Sequence, residues 1–243
     1  MRVSPLARYF DYPPGRANYL THISRRHRAV FVEVPKAGCT VVKMVLQHSE
    51  HGGEPYHRPE SVHDRSTSPL GSPLRGEFDI DEVFTGSSYF RFAFVRNPYS
   101  RALSCYLEKI IGKQWLRDMR LPKLGFEPDE EVGFAEFLRR VAGQRRAEMD
   151  IHWAPQHYLL SLDKVSYGFI GRFESFADDL RWLITHLELN APLGVLDRPT
   201  AHTTNASERL REYFDDESVD LVRDIYRGDF ERLGYGLDPR FAR

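Results

Sequence analysis

A lysine, a glycine and a hydroxyl group lie close together just after an apolar run. Residues 30–43 read VFVEVPKAGCTVVK, in which the run breaks at Pro35 and is followed by Lys36, Gly38 and Thr40. The run predicts a buried strand, and the apolar residues that resume after the turn fall at helical spacing. Those residues are Val41, Val42, Val45 and Leu46. Because a helix N-terminus presents backbone N–H groups and partial positive charge, the turn predicts an anion site completed by Lys36 and Thr40.

This turn differs from two common phosphate-binding loops. The usual nucleotide loop places two glycines before a lysine that opens the helix, whereas Lys36 precedes the only glycine here. A cysteine-dependent phosphatase would need an arginine shortly after Cys39, and Thr-Val-Val-Lys-Met-Val follows instead. The alternative interpretation of the turn is an ordinary strand–helix junction with a solvated lysine.

A second stretch repeats the arrangement. Residues 90–106 read FRFAFVRNPYSRALSCY, which predicts a strand over Phe90 to Val95 and a helix opened by Pro98. Arg96 ends the strand, and Ser104 lies on the helix eight residues later, near Arg101. A planar guanidinium and a hydroxyl in these places suit a second phosphate. Two such sites predict a ligand with two separated anionic groups.

These two segments, PKAGCT and VRNPYSRALSCY, resemble the signature segments of sulfotransferases that use 3′-phosphoadenosine 5′-phosphosulfate (PAPS). The resemblance is closest to the carbohydrate branch that includes chondroitin, dermatan and HNK-1 sulfotransferases and their bacterial relatives. Residues 152–158, 167–180 and 225–235 also agree with that branch. The resemblance extends from about residue 29 to residue 236, and it implies a P-loop-like α/β fold of three layers, with a central, mainly parallel sheet flanked by helices.

The resemblance also assigns roles to residues of this chain. It implies that the first segment holds the 5′-phosphosulfate, and those residues are Pro35, Lys36, Ala37, Gly38, Cys39 and Thr40. It implies that Arg96 and Ser104 hold the 3′-phosphate. Lys36 would neutralise the charge that builds up on the leaving phosphate, as positioned cations do in phosphoryl transfer.

Transfer to a sugar hydroxyl needs a base, and histidine is the natural one near neutral pH. The loop over residues 51–77 carries His51, His57 and His63, in a spacing that shows no metal signature. Related heparan sulfotransferases place their base between the two cofactor motifs, a position that His63 matches. His152 is the alternative, as a base or as an acceptor contact, because its neighbour Trp153 would add the flat apolar surface that sugar sites often have.

Length and composition favour one soluble α/β domain over residues 1–243. We expect a core over about residues 29–236, an extended aromatic arm over residues 1–28, and acceptor or lid loops over residues 51–77 and 112–132. Further elements are predicted from apolar spacing: helices over residues 134–141, 176–187 and 219–233, and a strand over residues 165–173.

Charge and hydropathy limit the partners and the location. The net charge of −1 gives no reason to expect a nucleic acid, and no stretch of about 20 apolar residues would span a membrane. The two cysteines form neither a disulfide framework nor a metal site. The animal enzymes of the branch are Golgi proteins with an N-terminal anchor. Since this chain shows no such anchor, the sequence predicts a bacterial, cytoplasmic enzyme.

The expected activity is therefore transfer of a sulfuryl group from PAPS to a hydroxyl of a carbohydrate or glycoconjugate, with 3′-phosphoadenosine 5′-phosphate (PAP) as product and no metal. One alternative is a nucleotide-binding or regulatory module that keeps the cradle but has no turnover. A kinase-like enzyme fits less well, because the Walker lysine and the acidic Mg²⁺ ligand are not placed for it. The acceptor's identity and the oligomeric state stay open at this point.

Overall fold

The computed structural model describes residues 4–53, 62–75, 78–196 and 205–241. The chain divides into two compact units. The first unit comprises Met1–Val95 and Leu160–Thr200, and the second comprises Arg96–Leu159 and Ala201–Arg243. That residues 1–243 form a single domain stays a prediction.

Among the described residues, the strands lie in the part of the chain before residue 173, and only helices and short turns follow the last strand. The strands are β1 (Thr21–Ser24), β2 (Ala29–Val32), β3 (Phe90–Val95) and β4 (Phe169–Arg172). The helices are α1 (Pro14–Leu20), α2 (Cys39–Glu50), α3 (Ile80–Phe84), α4 (Pro98–Lys109), α5 (Gln114–Arg120), α6 (Phe134–Ala142), α7 (Gln156–Leu159), α8 (Phe176–His186), α9 (Leu210–Tyr213), α10 (Asp216–Ile225) and α11 (Arg227–Leu233). Short 3-10 turns cover Pro5–Arg8, Leu121–Leu124, Phe173–Ser175 and Pro239–Phe241.

The first unit contains a four-stranded sheet in the order β1-β2-β3-β4. β2, β3 and β4 run parallel to one another, and β1 pairs antiparallel with β2. Two of the parallel strands are buried over most of their length, as apolar runs in such sheets are. The fold class predicted from the sequence, α/β with a mainly parallel sheet flanked by helices, is confirmed.

The prediction of an extended N-terminal arm is wrong in part. Its aromatic residues Tyr9, Phe10 and Tyr12 are buried, as expected. However, α1 and β1 form within the predicted arm, and β1 extends the sheet. The sequence of β1, THIS, hides the strand because Ile23 is its only aliphatic residue and the buried His22 looks like a surface residue.

Other boundaries differ from the predictions for local reasons. β4 covers only Phe169–Arg172 of the expected 165–173, the range over which its residues are in register with β3. The predicted loop over 112–132 contains α5 and the turn Leu121–Leu124. The long C-terminal helix is two helices, α10 and α11, which break at Tyr226.

In the second unit α4 and α6 follow their sequence patterns. Pro98 opens α4, and the Asn97 side chain accepts a hydrogen bond from the N–H of Tyr99, as an N-cap does. α6 ends at Ala142, with Gly143 at its C-terminal cap. Its inward face consists of Phe134, Phe137, Leu138 and Val141. α4 is buried from Pro98 to Leu107 rather than along one face.

Candidate phosphate-binding site

The turn between β2 and α2 has an unusual backbone. Lys36 and Gly38 both lie in the left-handed region, with φ angles of 74° and 83°. Glycine tolerates this conformation, but a lysine in it is strained, and such strain concentrates at functional sites. Gly38 is also required by space, because a Cβ atom there would lie 2.4 Å from Cε2 of Phe176. The backbone therefore approaches the aromatic ring of α8 more closely than any other residue type would permit.

The N-terminus of α2 begins directly after this turn. Gly38 is its N-cap and has no side chain to satisfy the first N–H groups. The first bond of helical spacing runs from the N–H of Val42 to the oxygen of Gly38, at 3.3 Å. N–H groups that precede such a bond are those that a helix leaves for an outside acceptor. With Lys36 and Thr40 half-buried beside them, the turn fits the phosphate group that the sequence predicts.

Thr40 belongs to a chain of hydrogen bonds that continues into the core of the first unit. Its Oγ1 lies 3.1 Å from Nε2 of His63, and Nδ1 of His63 lies 2.7 Å from Nζ of Lys43. Lys43 in turn donates to Glu33 over 2.9 Å. Lys43 and Glu33 are only 1% and 3% exposed. The sequence predicted His63 as a candidate base, but it did not reveal this buried pair.

The buried carboxylate of Glu33 has a second partner, His22, whose Nε2 donates to the same oxygen over 2.9 Å. Burial alone would raise the pKa of Glu33, but Lys43 and His22 hold it well below its usual range. Burial lowers the pKa of His22 to about 4, against the opposing effect of Glu33. A guanidinium nitrogen of Arg65 contacts Nδ1 of His22, which must then accept that bond.

Neither cysteine is poised to act as a nucleophile. Burial, with the nearby charge of Glu33, raises the pKa of the Cys39 thiol to about 12. Cys105 is buried in α4, and neither cysteine forms a disulfide. Since the thiolate is the reactive form, Cys39 can contribute its backbone N–H to the turn but no covalent chemistry.

Arg96 opens the second unit and is tightly held there. Its Nε donates to Oγ of Ser100 over 3.0 Å, and its Nη2 lies 3.4 Å from Oγ of Ser207. Ser207 ends the polar segment HTTNAS, residues 202–207. Thr203 lies outside the described residues, Asn205 is exposed, and Ser207 is the member that reaches Arg96.

The backbone of Arg96 is held by the side chain of Gln156. Its N–H donates to Oε1 of Gln156 over 2.9 Å, and its carbonyl accepts from Nε2 over 2.7 Å. Gln156 itself is fixed by Asp229, a fully buried carboxylate that accepts from the N–H groups of Gln156 and His157 at 2.9 and 2.8 Å. Segments 152–158 and 225–235, which both agree with the carbohydrate sulfotransferase branch, therefore contact each other within the second unit and support Arg96.

Ser104 and Arg101 are both deeply buried in α4, which the helical spacing alone did not indicate. Ser104 is 2% exposed. Arg101 donates to the carbonyls of Ala154 and Ile151, at 2.9 and 3.3 Å. Arg101 thus fixes the backbone around His152.

His152 is paired with Asp150. Its Nδ1 lies 2.6 Å from Oδ1 of Asp150, and Nζ of Lys123 lies 2.7 Å from the other oxygen. Burial alone would raise the pKa of Asp150, but the hydrogen bond from His152 and the charges nearby hold it well below its usual range. Burial lowers the pKa of His152, which opposes its protonation. The ring therefore donates from Nδ1, and its Nε2 has no hydrogen-bond partner among the described residues.

Trp153 does not supply the flat sugar-binding surface that the sequence suggested. It is 0% exposed, packs edge-on against Phe137 and donates its Nε1–H to Gln144 over 2.8 Å. It is a core residue, because an indole without exposed area cannot stack on a ligand.

The chain matches the family model described as Sulfotransferase family over residues 20–236. This range includes both anion motifs and most of each unit. The chain belongs to the sulfotransferase family. No solved structure matches it.

Named relatives of this family member are carbohydrate sulfotransferases of animals. Human carbohydrate sulfotransferase 8 is 30% identical over 94% of this chain and 59% of its own length. Human carbohydrate sulfotransferase 14 is 26% identical over 94% of this chain and 64% of its own length, and frog (Xenopus laevis) carbohydrate sulfotransferase 10 is 25% identical over 90% and 68%. The chain thus spans less than two thirds of the length of several relatives. The resemblance to carbohydrate sulfotransferases is confirmed.

The predictions of a bacterial origin and a cytoplasmic location are wrong. They are contradicted by these relatives, which come from mouse, human, frog and fish and belong to the animal group described above as Golgi enzymes. Within the described part of the chain, no helix has both the length and the apolar character that crossing a membrane requires. The same residues contain no cluster of three or more His, Cys, Asp or Glu side chains arranged to hold a metal ion.

Proposed function

We propose that this chain transfers the sulfuryl group of PAPS to a hydroxyl group of a carbohydrate acceptor. The observation that carries the proposal is the strained turn of Lys36 and Gly38 at the uncapped N-terminus of α2, within a chain that belongs to the sulfotransferase family. A phosphate group suits this turn because N–H groups, helix charge and a lysine converge there. PAPS, when bound, supplies the activated sulfuryl group.

Each residue of the turn has a role in the proposed reaction. The N–H groups of Gly38 and Cys39 and the hydroxyl of Thr40 bind the 5′-phosphate, while Pro35 and Ala37 shape the loop. Lys36 stabilises the negative charge that grows on the leaving phosphate oxygen. A positioned cation of this kind is the main way in which a protein assists such a transfer.

Selectivity for PAPS over simple nucleotides is assigned to the second motif. Arg96 binds the 3′-phosphate with the guanidinium that Ser100 and Ser207 orient. Ser104 donates a further hydrogen bond. A guanidinium held on two sides loses little freedom on binding, which favours affinity.

A histidine accepts the proton of the acceptor hydroxyl in this mechanism, and the two candidates are His63 and His152. A base needs an unprotonated ring nitrogen that faces the hydroxyl. In His152 the bond from Nδ1 to Asp150 leaves the lone pair of Nε2 available. Such a carboxylate–imidazole pair is the usual means of fixing a tautomer.

Removal of the lysine charge tests the proposal. We expect Lys36→Ala to slow sulfuryl transfer from PAPS at saturating substrate by about 100-fold or more, since a charge that acts in the transition state is lost. Radiolabelled PAPS and a panel of glycan acceptors would provide the assay. Lys164→Ala is the matched control, because Lys164 is an exposed lysine that pairs with Asp11. Equal turnover by Lys36→Ala and the control would contradict the proposed role.

The competing function is a module that binds the nucleotide without turnover. The relatives' names favour an enzyme, but the module shares every binding residue described above. A chain that binds PAP tightly yet labels no acceptor in the panel, at any pH between 6 and 9, would support the module.

A further inference from the structure

The hydrogen-bond chain from Glu33 to Thr40 has a direction that the chemistry of its members decides. Lys43 is protonated, because the charge of Glu33 raises its pKa although burial opposes this. An ammonium group donates and cannot accept. The nitrogen of His63 that faces it over 2.7 Å, Nδ1, must therefore be an unprotonated acceptor.

The other ring nitrogen of His63 follows from this assignment. With Nδ1 accepting, a neutral imidazole carries its proton on Nε2. Nε2 of His63 lies 3.1 Å from Oγ1 of Thr40, and its N–H donates to that oxygen. The hydroxyl of Thr40 accepts this bond and keeps its own proton to donate to another acceptor. In the phosphate loop that acceptor is a phosphate oxygen.

A protonated His63 would not fit the same arrangement. A proton on Nδ1 would face the ammonium of Lys43 across a distance of 2.7 Å, and two like charges at such a distance repel strongly. Glu33 cannot relieve this repulsion directly, because its carboxylate bonds Lys43 and His22 instead. Both ring nitrogens of His63 are thus engaged, and the one that could accept a proton faces a cation.

His22 shows the same logic within this network. Arg65 donates to its Nδ1, so the proton sits on Nε2 and points at Glu33. Glu33 therefore receives bonds from a neutral histidine and a charged lysine, both buried. A buried carboxylate with two such partners is a rigid anchor, whereas a half-satisfied one would be costly.

We infer that Glu33 and Lys43 hold His63 as a fixed, neutral Nε2–H tautomer, and that His63 orients Thr40 toward the donor phosphate instead of accepting the acceptor's proton. His63, Lys43 and Glu33 are then positioning residues of the phosphate loop. The inference rests on the proposed function only in naming the phosphate as that of PAPS. The tautomer itself is a property of the chain alone.

The first experiment measures the tautomer directly and needs no ligand. In protein labelled with ¹⁵N at histidine, long-range ¹H–¹⁵N correlation at pH 7.5 distinguishes the two neutral tautomers from the imidazolium, and His63→Ala identifies the signal. We expect a single Nε2–H form, which Lys43→Met converts to a mixture. A protonated ring, an Nδ1–H form or a mixture in the unsubstituted chain would overturn the inference.

The second experiment separates a positioning role from that of a base. We expect His63→Ala to raise the KM for PAPS about tenfold and to slow turnover less than tenfold, because loss of a general base slows turnover by about 100-fold or more. If His63→Ala instead slowed turnover to that larger extent and left the KM unchanged, the inference would be overturned.

The third experiment follows the network from its buried end. Lys43→Met should weaken PAP binding about tenfold, the scale of one charge-assisted hydrogen bond. Ser49→Ala is the matched control, a buried polar residue of α2 that bonds His27 and Asn190 instead, and its PAP affinity should not change. Lys43→Met alone leaves the charge of Glu33 buried without its ammonium partner and can prevent folding. The double variant Glu33→Gln/Lys43→Met removes both charges, so it should fold and serve in its place. Unchanged PAP affinity in Lys43→Met or in the double variant would overturn the inference. If the unsubstituted chain does not bind PAP, the proposed function is refuted instead. The first experiment then still decides the tautomer of His63.

Discussion

Lys36 holds a backbone conformation that costs a lysine roughly 1–3 kcal/mol, which the rest of the fold must offset. Gly38, two residues later, shares the left-handed conformation and lies against the ring of Phe176. These two residues give the turn its shape, and the turn leads directly into the N-terminus of α2, which no side chain caps. Backbone strain of this kind concentrates at functional sites, which supports an anion site at this turn.

Gly38→Ala tests whether this shape matters. The new Cβ would lie 2.4 Å from the Phe176 ring, and the alanine would have to adopt a φ of 83°. We therefore expect a loss of stability of about 1–3 kcal/mol and at least tenfold weaker PAP binding. Urea unfolding and calorimetric titration measure the two effects.

The control is Gly15→Ala, at a helical position where no atom lies within 4 Å of the new Cβ. It should leave binding unchanged and stability equal or slightly higher, since alanine favours a helix. A Gly38→Ala chain that behaves like this control would show that the turn is not shaped by its glycine.

The sequence predicted the chemical residues of this turn but not the residues behind them. Lys36, Gly38 and Thr40 follow from residue type and spacing. Glu33 and Lys43 were not singled out, because buried charges are rare and a lysine in a helix is normally solvated. The sequence pattern contains one indication that both charges are buried. Glu33 interrupts an apolar run, and Lys43 directly follows the buried Val42.

At the scale of elements, Asp229 of α11 fixes the start of α7. Its carboxylate accepts three bonds, from the N–H groups of Gln156 and His157 and from Nδ1 of His157 at 2.7 Å. Gln156 then holds both backbone groups of Arg96. One buried carboxylate thus organises two helices and, through Gln156, the arginine assigned to the 3′-phosphate.

Asp229→Asn should disturb this arrangement without a change of size. The asparagine amide has only one acceptor oxygen, and its NH₂ group would face backbone N–H groups from which it cannot accept a hydrogen bond. We therefore expect a loss of about 2–4 kcal/mol of stability. PAP binding should weaken as well, because Arg96 loses its support. Thermal unfolding with and without PAP measures both effects.

Asp224→Asn is the control for this substitution, because Asp224 is an exposed residue that bonds Arg227 one turn along the surface. Its effect on stability should stay within about 0.5 kcal/mol. If both variants unfold at the same temperature, Asp229 has no special structural role.

The elements that the sequence predicted well are those with strongly apolar patterns. β3 and α6 appear where the spacing places them, since their buried faces are purely aliphatic or aromatic. β1 was missed because His22 is polar and its burial depends on Glu33, a residue 11 positions away. The break at Tyr226 was missed because one apolar stripe continues through both helices, while the Tyr226 hydroxyl bonds the carbonyl of Trp153.

At the scale of the whole molecule, buried ionisable groups make stability depend on pH. The pKa of His22 falls from 6.5 to about 4 on folding, so between these values the unfolded chain binds more protons. Stability is then fully present above about pH 6.5 and is lost as the pH falls toward 4. Glu33 and Asp150, whose pKa values are lowered in the fold, add a further loss at more acidic pH.

His22→Gln tests this linkage through the pH dependence rather than through stability at one pH. The unsubstituted chain should lose about 2 kcal/mol from His22 alone between pH 7 and pH 5, from a slope near 1.4 kcal/mol per pH unit. The variant should lack that part of the loss. Denaturant unfolding at the two pH values measures it, and parallel pH curves for the two chains would contradict the assignment.

For the whole molecule, the sequence predicted the family but neither the cellular location nor the acceptor. Family membership could be predicted from two short segments, because those segments carry the chemistry that the family shares. Location could not be predicted, because the lack of an apolar stretch within this sequence does not identify a compartment, and animal relatives contradict the expectation drawn from it. The acceptor is not encoded in either segment.

Lys36 and Arg96 are proposed to select a nucleotide that carries both a 5′- and a 3′-phosphate. Calorimetric titration with PAP, with adenosine 5′-phosphate and with ATP-Mg tests it most directly, on the unsubstituted chain and on Arg96→Met. We predict that PAP binds at least about 100-fold more tightly than the other two, and that Arg96→Met removes most of this difference, since one arginine–phosphate pair is lost. Equal affinity for PAP and ATP-Mg, or a preference for PAP that persists in Arg96→Met, would contradict the account.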